Sequence, residues 1–183
     1  MRSWKGSIRR ICNNNSGITA IEFALIGPVF FLLIMGLFEV TILLGQSAII
    51  ENAVFDAARV VRTGQAQNSA DPLGTFRATL CGDALVGFVQ CDDLTFNVQV
   101  FPSFSDTPLE VEINEEGVIV DGDGVEIEEV FEPGTAEDIV VVRIFHIYSF
   151  FTPLIGRILG NGGGDTFLMV FAAVFRSEPY LGF

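Results

Sequence analysis

Residues 17–62 read GITAIEFALIGPVFFLLIMGLFEVTILLGQSAIIENAVFDAARVVR. Between Phe23 and Ile50 there is one charged residue, Glu39. A bilayer core of about 30 Å needs about 20 apolar residues as a helix, and residues 24–44 meet that length with Glu39 as the single interruption. A helix buried in a soluble core stays apolar along one stripe, whereas this run is apolar all round. A secretory signal fits poorly: the run is about twice a normal signal core of roughly 7–15 residues, and no A-x-A-like site ends it. The pattern predicts a membrane-spanning helix.

Beyond it the period changes. Ile50, Val54, Ala57 or Ala58, and Val61 recur at helical spacing, while Glu51, Asn52, Asp56, Arg59 and Arg62 take the other faces. Thr63-Gly64 then reads as a stop, because glycine is the usual residue just past a helix end. Ile18 to Arg62 therefore reads as one helix, transmembrane over about 24–44 and amphipathic over 45–62. Pro28 is expected to loosen it by removing a backbone donor.

Charge divides the 183-residue chain in the same way. Arg2, Lys5, Arg9 and Arg10 fall in the first ten residues, and no acid precedes Glu22. From Thr63 to Phe183 there are nineteen acids and four bases, Arg77, Arg143, Arg157 and Arg176. A basic end beside an apolar span marks a cytoplasmic terminus under the positive-inside rule. The net charge of −13 excludes a general nucleic-acid binder, which needs a basic face. A mean hydropathy of +0.49 excludes intrinsic disorder.

Asn13-Asn14-Asn15-Ser16-Gly17 is polar and turn-like, and Ile18-Thr19-Ala20-Ile21-Glu22-Phe23 leads straight into the apolar run. A basic leader, a glycine, four mostly apolar residues, then Glu-Phe and a long apolar helix resemble the processing site of type IV pilin-like proteins. In that class a membrane aspartic peptidase, the prepilin peptidase, cuts after the glycine. The resemblance implies a basic leader over 1–17, a cut between Gly17 and Ile18, and Glu22 as the fifth mature residue, paired with the new terminal amine during subunit packing. A carboxylate in lipid seeks a cation, and that amine would be close by. Gly17, Ala20, Glu22, Phe23, Ala24, Pro28, Glu39, Asn52, Ala53, Ala57, Ala58 and Arg59 together are similar to the TadE family of the tight-adherence (Tad, Flp) pilus system. Phe171 to Tyr180 also resembles a family ending. Pilins and pseudopilins of other branches usually carry Phe directly after the cut, where this chain has Ile18.

The acidic remainder, residues 63–183, reads as an α+β domain with an antiparallel sheet. Thr63 to Ala70 is polar and small, as in a linker, and Pro72 to Val86 suggests a short helix. Phe96, Val98 and Val100 alternate with Thr95, Asn97 and Gln99, and Leu109, Val111 and Ile113 alternate with Glu110, Glu112 and Asn114. Val118 to Ile127, broken by Asp121-Gly122-Asp123-Gly124, reads as a hairpin. Ile139–Phe150 and Thr166–Phe175 read as two long neighbouring strands, separated by Pro153 and the cluster Gly160, Gly162, Gly163 and Gly164. Arg143, His146 and the β-branched residues argue against a second membrane helix there. Removing the leader with Cys12 leaves Cys81 and Cys91 in an oxidising compartment, and a disulfide between them is expected.

Signs of catalysis are missing. His146 sits among apolar neighbours like a packed strand residue. No serine occupies a G-x-S-x-G elbow, and Gly162-Gly163-Gly164-Asp165 lacks the Lys-Ser/Thr of a phosphate loop. Asp121 and Asp123 have calcium-loop spacing, but Val125 takes the third ligand position, so a solvated turn is favoured over a weak calcium site. No enzyme activity, cofactor or metal is expected.

The chain thus resembles a minor pilin or pseudopilin. The resemblance implies a single-pass bacterial inner-membrane subunit with its domain in the periplasm, partnered by other minor pilins, pilus subunits, the prepilin peptidase and membrane lipid. Gly27 and Gly36 would let helices approach closely. The alternative is an unprocessed, membrane-anchored periplasmic binding or scaffold protein.

Overall fold

The computed structural model describes residues 17–82, 85, 87–106, 111–114, 118–161 and 164–179. The basic leader up to residue 16, Leu109 and Glu110, Gly162 and Gly163, and Tyr180 lie outside the described residues.

The first element is helix α1, Ile18–Arg62, with Pro28 inside it. It ends on Gly64, whose φ is 74°. The Gly64 amide donates to the Val61 carbonyl and the Gln65 amide to the Val60 carbonyl, at 3.1 and 3.0 Å. This paired pattern caps the last turn and needs a left-handed residue, which glycine adopts without a Cβ penalty. The chain divides into two compact units within α1, between Phe38 and Glu39.

The described part of the first unit, residues 17–38, is helical from Ile18 and exposes twelve large apolar side chains, from Ile18 to Phe38. Burying each is worth roughly 1.5–3 kcal/mol. Leaving all twelve in water would forfeit roughly 20–35 kcal/mol, more than the roughly 5–15 kcal/mol that holds a typical domain together. This surface is suited to an apolar solvent.

The second unit, from Glu39 onward, is the α+β body. Ile50, Ala53, Val54, Ala57, Ala58 and Val61 form the buried face of α1 here. They share one core with Phe76 and Leu80 of α2 (Pro72–Leu80), Phe96 and Val98 of β1 (Leu94–Phe101), and Val140, Val142 and Ile144 of β5 (Ile139–Ser149). Asp71 caps α2 by accepting from the Gly74 amide at 2.9 Å, and Pro72 stands in its first turn.

The remaining strands are β2 (Val111–Ile113), β3 (Ile119–Asp121), β4 (Val130–Phe131) and β6 (Thr166–Arg176). The main sheet has the order β4-β1-β5-β6. β5 pairs antiparallel with β6 from Ile139↔Arg176 to Ser149↔Thr166, and with β1 from Leu94↔His146 to Phe101↔Ile139. β4 joins β1 in parallel through Asn97↔Val130 and Val98↔Phe131. β2 and β3 form a separate antiparallel pair. Phe145 on the far face of β5 clusters with Leu168, Ile119, Val111, Ile113 and Ile127. β5 is therefore covered on both faces, which accounts for its nearly unbroken apolar run.

Two expectations need correction, and a third is extended. Residues 63–70 do not form a free linker: Ala66 is buried, and the Gln67 side-chain amide donates to the carbonyls of Val61 and Pro133. Val118 to Ile127 forms the expected hairpin around Asp121–Gly124, with β2 added on its other side. Its first arm pairs with β2, and the return arm makes one bridge, Val120↔Glu126, plus the bonds from the Asp121 and Ile127 amides to the carbonyls of Val125 and Ile119. Between β5 and β6 the chain forms α3, Pro153–Leu159, where the sequence suggested only a break.

Candidate functional site

The residues singled out at the start of α1 lie on an exposed helical surface. Gly17 precedes the first helical residue, Ile18. Among the described residues nothing lies within 4 Å of where a Cβ on Gly17 would sit, and its φ is not left-handed. The described residues therefore do not demand glycine there. Glu22 and Phe23 are both exposed. A Cβ on Gly27 would touch the Phe23 ring at 3.4 Å, so this ring lies along the helix toward Gly27. Pro28 has no amide hydrogen to offer the Ala24 carbonyl one turn earlier.

Glu39 has a different environment from Glu22. It is only 3% exposed. Its carboxylate accepts the Phe151 amide, and the Thr152 amide at 3.2 Å to either oxygen. Burial of a carboxylate is tolerated when backbone donors replace its water. Thr152 immediately precedes α3, and Pro153 opens that helix, so Glu39 fixes the α3 entry onto α1. Leu43 packs one turn further along against Tyr148, Phe150 and Met169, with Ile155 of α3 in the same cluster. The Tyr148 hydroxyl is buried and has no hydrogen-bond partner among the described residues. Burial, and secondarily the negative charge of Glu39, push the Tyr148 hydroxyl above the usual tyrosine range.

A second buried polar group is Arg143, on β5 directly across from Asn97 on β1. Its guanidinium donates to Asn97 Oδ1 at 3.0 Å, and the Asn97 amide donates to the Glu128 carbonyl at 2.9 Å, tying the approach to β4 to the sheet. Burial lowers the Arg143 pKa from its ordinary value, and Asp121 partly offsets that. His146 is also buried on β5, with Nδ1 3.2 Å from the Asp93 carbonyl. It borders an open groove of about 400 Å³ shared with Gln46, Tyr148 and Phe151.

Cys81 and Cys91 form a disulfide with Cα atoms 5.4 Å apart. It links the end of α2 to the 3₁₀ turn Cys91–Asp93 that leads into β1. Asp121 Oδ1 accepts the amides of Asp123 and Val125 at 3.0 and 2.9 Å, and Gly124 supplies a φ of 79°. That carboxylate closes its own turn. Among the described residues no group of three or more His, Cys, Asp or Glu side chains could hold a metal ion.

Sequence reading missed the partners of Glu39 and the existence of α3. The signal for the helix was present in Thr152-Pro153, a proline at a helix start, followed by an apolar turn. The pairing itself spans 112 residues and leaves no local trace.

No curated protein and no solved structure matched the chain. One helix among the described residues, α1, is long and apolar enough to cross a membrane. Residues 17–59 match the family model of TadE-like proteins, and this match together with the apolar helix fits a membrane-anchored protein associated with the Tad system.

Proposed function

We propose that the chain is a minor pilin or pseudopilin that takes part in assembly or priming of a Tad-type pilus. The observation that carries this reading is the coincidence of the TadE-like match, residues 17–59, with the apolar surface of residues 18–38. Those 21 residues make a helix of about 31 Å at 1.5 Å per residue, close to the thickness of a bilayer core. The change of compact unit at Glu39 favours a span over 18–38 rather than the 24–44 read from hydropathy.

In this reading the prepilin peptidase cuts between Gly17 and Ile18. Among the described residues nothing crowds Gly17, so they give no steric reason for glycine there, in keeping with that cut. Glu22, exposed on an otherwise apolar helix, then meets a cation in lipid, the terminal amine of a packed subunit. Gly36 permits close helix approach, Gly27 does so once the Phe23 ring moves off it, and Pro28 withholds a donor from the Ala24 carbonyl so that the span can bend. The body beyond Glu39 lies in the periplasm and meets other minor pilins. Its role is structural rather than enzymatic, and it needs no cofactor.

Intact mass and N-terminal sequencing of the protein from bacterial membranes with an active prepilin peptidase test the proposal, beside a Gly17→Ala variant. A mature start at Ile18, lost in the variant, is expected. A chain still starting at Met1 in both would replace this reading with an unprocessed membrane-anchored binding or scaffold protein.

A further inference from the structure

From Ile139 to Gly164 the sequence contains no acid, although the chain beyond Thr63 carries nineteen. The bases in this stretch are Arg143 and Arg157. Arg143 is buried, so Arg157 on α3 is its exposed cation. The large side chains exposed around Arg157 are apolar, while Asp165 packs against Gly156 behind them. Phe151 is 78% exposed, more than any other large apolar side chain described, and Leu154 and Ile158 are 48% and 69% exposed. Ile155 faces the opposite way, into the cluster of Tyr148, Phe150 and Met169. α3 is thus apolar on its outer side as well as its inner one, with a single cation between.

The place of this patch along the chain identifies what it meets. Phe151 and Thr152 donate their amides to Glu39, the residue that directly follows the uncharged run Phe23–Phe38. A segment bonded to that residue stands where the chain leaves the apolar stretch. Resting on the reading of 18–38 as a membrane span, we infer that Phe151 and α3 form a second lipid contact of the same molecule. Phe151, Leu154 and Ile158 enter the boundary between headgroups and acyl chains, and Arg157 meets the phosphates. Ile139–Gly164 itself adds no acid, although Asp165 packs against Gly156 of α3 with its Oδ1 buried, so anionic headgroups are repelled less here than by the rest of the body. Such a contact fixes the body against the bilayer and limits the directions it can offer to other subunits.

Tryptophan fluorescence in vesicles tests this on the full chain. Trp4, the single native tryptophan, is replaced by Phe, and Phe151→Trp, Phe30→Trp or Phe104→Trp is introduced one at a time. Phe30 belongs to the proposed span. Phe104 is exposed and follows the Phe101↔Ile139 end of the sheet, the end opposite to Phe151. The proteins are reconstituted in phosphatidylcholine–phosphatidylglycerol vesicles, with or without phosphatidylcholine brominated on the upper part of its acyl chains. The Phe151→Trp emission should shift to the blue and fall about twofold with brominated lipid, as for a side chain about 5–10 Å into the interface. Phe30→Trp should also be quenched, and Phe104→Trp should not. Quenching of Phe30→Trp without Phe151→Trp would overturn the inference and leave the span intact. A blue shift of Phe151→Trp that depends on protein concentration, without quenching, would assign the patch to a second copy and overturn it too. Equal quenching of Phe151→Trp and Phe104→Trp would show adsorption without orientation, against the inference. An unquenched Phe30→Trp would remove the membrane reading itself.

Discussion

Glu39 and Phe151, 112 residues apart, are joined by a hydrogen bond from the Phe151 amide to the Glu39 carboxylate. The Thr152 amide reaches the same group. The residue that interrupts the apolar run is therefore the one that ties the helix to the sheet. A buried donor left without an acceptor costs about 1–3 kcal/mol. Glu39→Ala should destabilise the second unit by about 2–4 kcal/mol, and Glu39→Gln, which keeps one acceptor oxygen, by about half that. Denaturant unfolding of the detergent-solubilised chain gives the order. Equal stability of all three proteins would show that the two amides are satisfied by water.

The α3 turn also depends on two backbone approaches at Gly160. A Cβ there would stand 2.5 Å from the Gly156 carbonyl oxygen and 2.8 Å from that of Thr166. Both are backbone atoms and cannot swing aside. Gly164 differs: its φ is 67°, yet among the described residues nothing lies within 4 Å of a Cβ. Gly164→Ala should cost about 1–2 kcal/mol from left-handed strain alone. Gly160→Ala should cost more, about 2–3 kcal/mol, because α3 or β6 must shift. Thermal or urea midpoints of the two variants distinguish backbone crowding from strain.

Much of this architecture was legible in the residues themselves. The Ile50, Val54 and Val61 stripe has the period of a helix with one buried face, and that face forms the core. Ile139–Phe150 and Thr166–Phe175 were readable as neighbouring strands because β-branched and aromatic residues dominate them. What stayed hidden lies far apart in sequence or is too short to show a period. β4 has two residues, too few to show a pattern, and it is held beside β1 by the Glu132 amide bond to the Val98 carbonyl and the Asn97 bond to Glu128. Residues 63–70 looked like a linker because small and polar residues dominate, while buried Ala66 carries almost no hydrophobic signal and Gln67 bonds to Pro133, 66 residues away. At the candidate site the sequence marked Glu39 as anomalous, but not where its carboxylate goes.

The Cys81–Cys91 disulfide closes a short loop, with a separation of ten residues. In the chain-entropy account a loop of that size is worth about 2–3 kcal/mol. The Cys81→Ser/Cys91→Ser double variant should lose about that much in urea unfolding, with the loss centred on α2 and the start of β1. Hydrogen exchange should speed up at Phe76 and Leu80, the buried side of α2, before it does in β5. An unchanged α2 would mean that its Asp71 cap and core contacts suffice.

Tyr148 offers a pH reading of the Glu39 junction. Its hydroxyl is pushed above the usual tyrosine value of about 10, first by burial and then by the charge of Glu39. A folded-state value raised above the unfolded one means that its contribution to stability is fully present below about pH 10 and is lost as pH rises through the folded value. The chain has two tyrosines, Tyr148 and Tyr180, so a Tyr180→Phe background isolates the signal. Tyrosinate absorbance of that protein should titrate above pH 10, and unfolding should become easier over the same alkaline window. Adding Glu39→Gln removes the smaller cause, so the midpoint should move down yet remain above that of free tyrosine. A midpoint at the free value in the Tyr180→Phe protein would mean that water reaches the hydroxyl, and that the Leu43–Tyr148–Phe150 packing opens in solution.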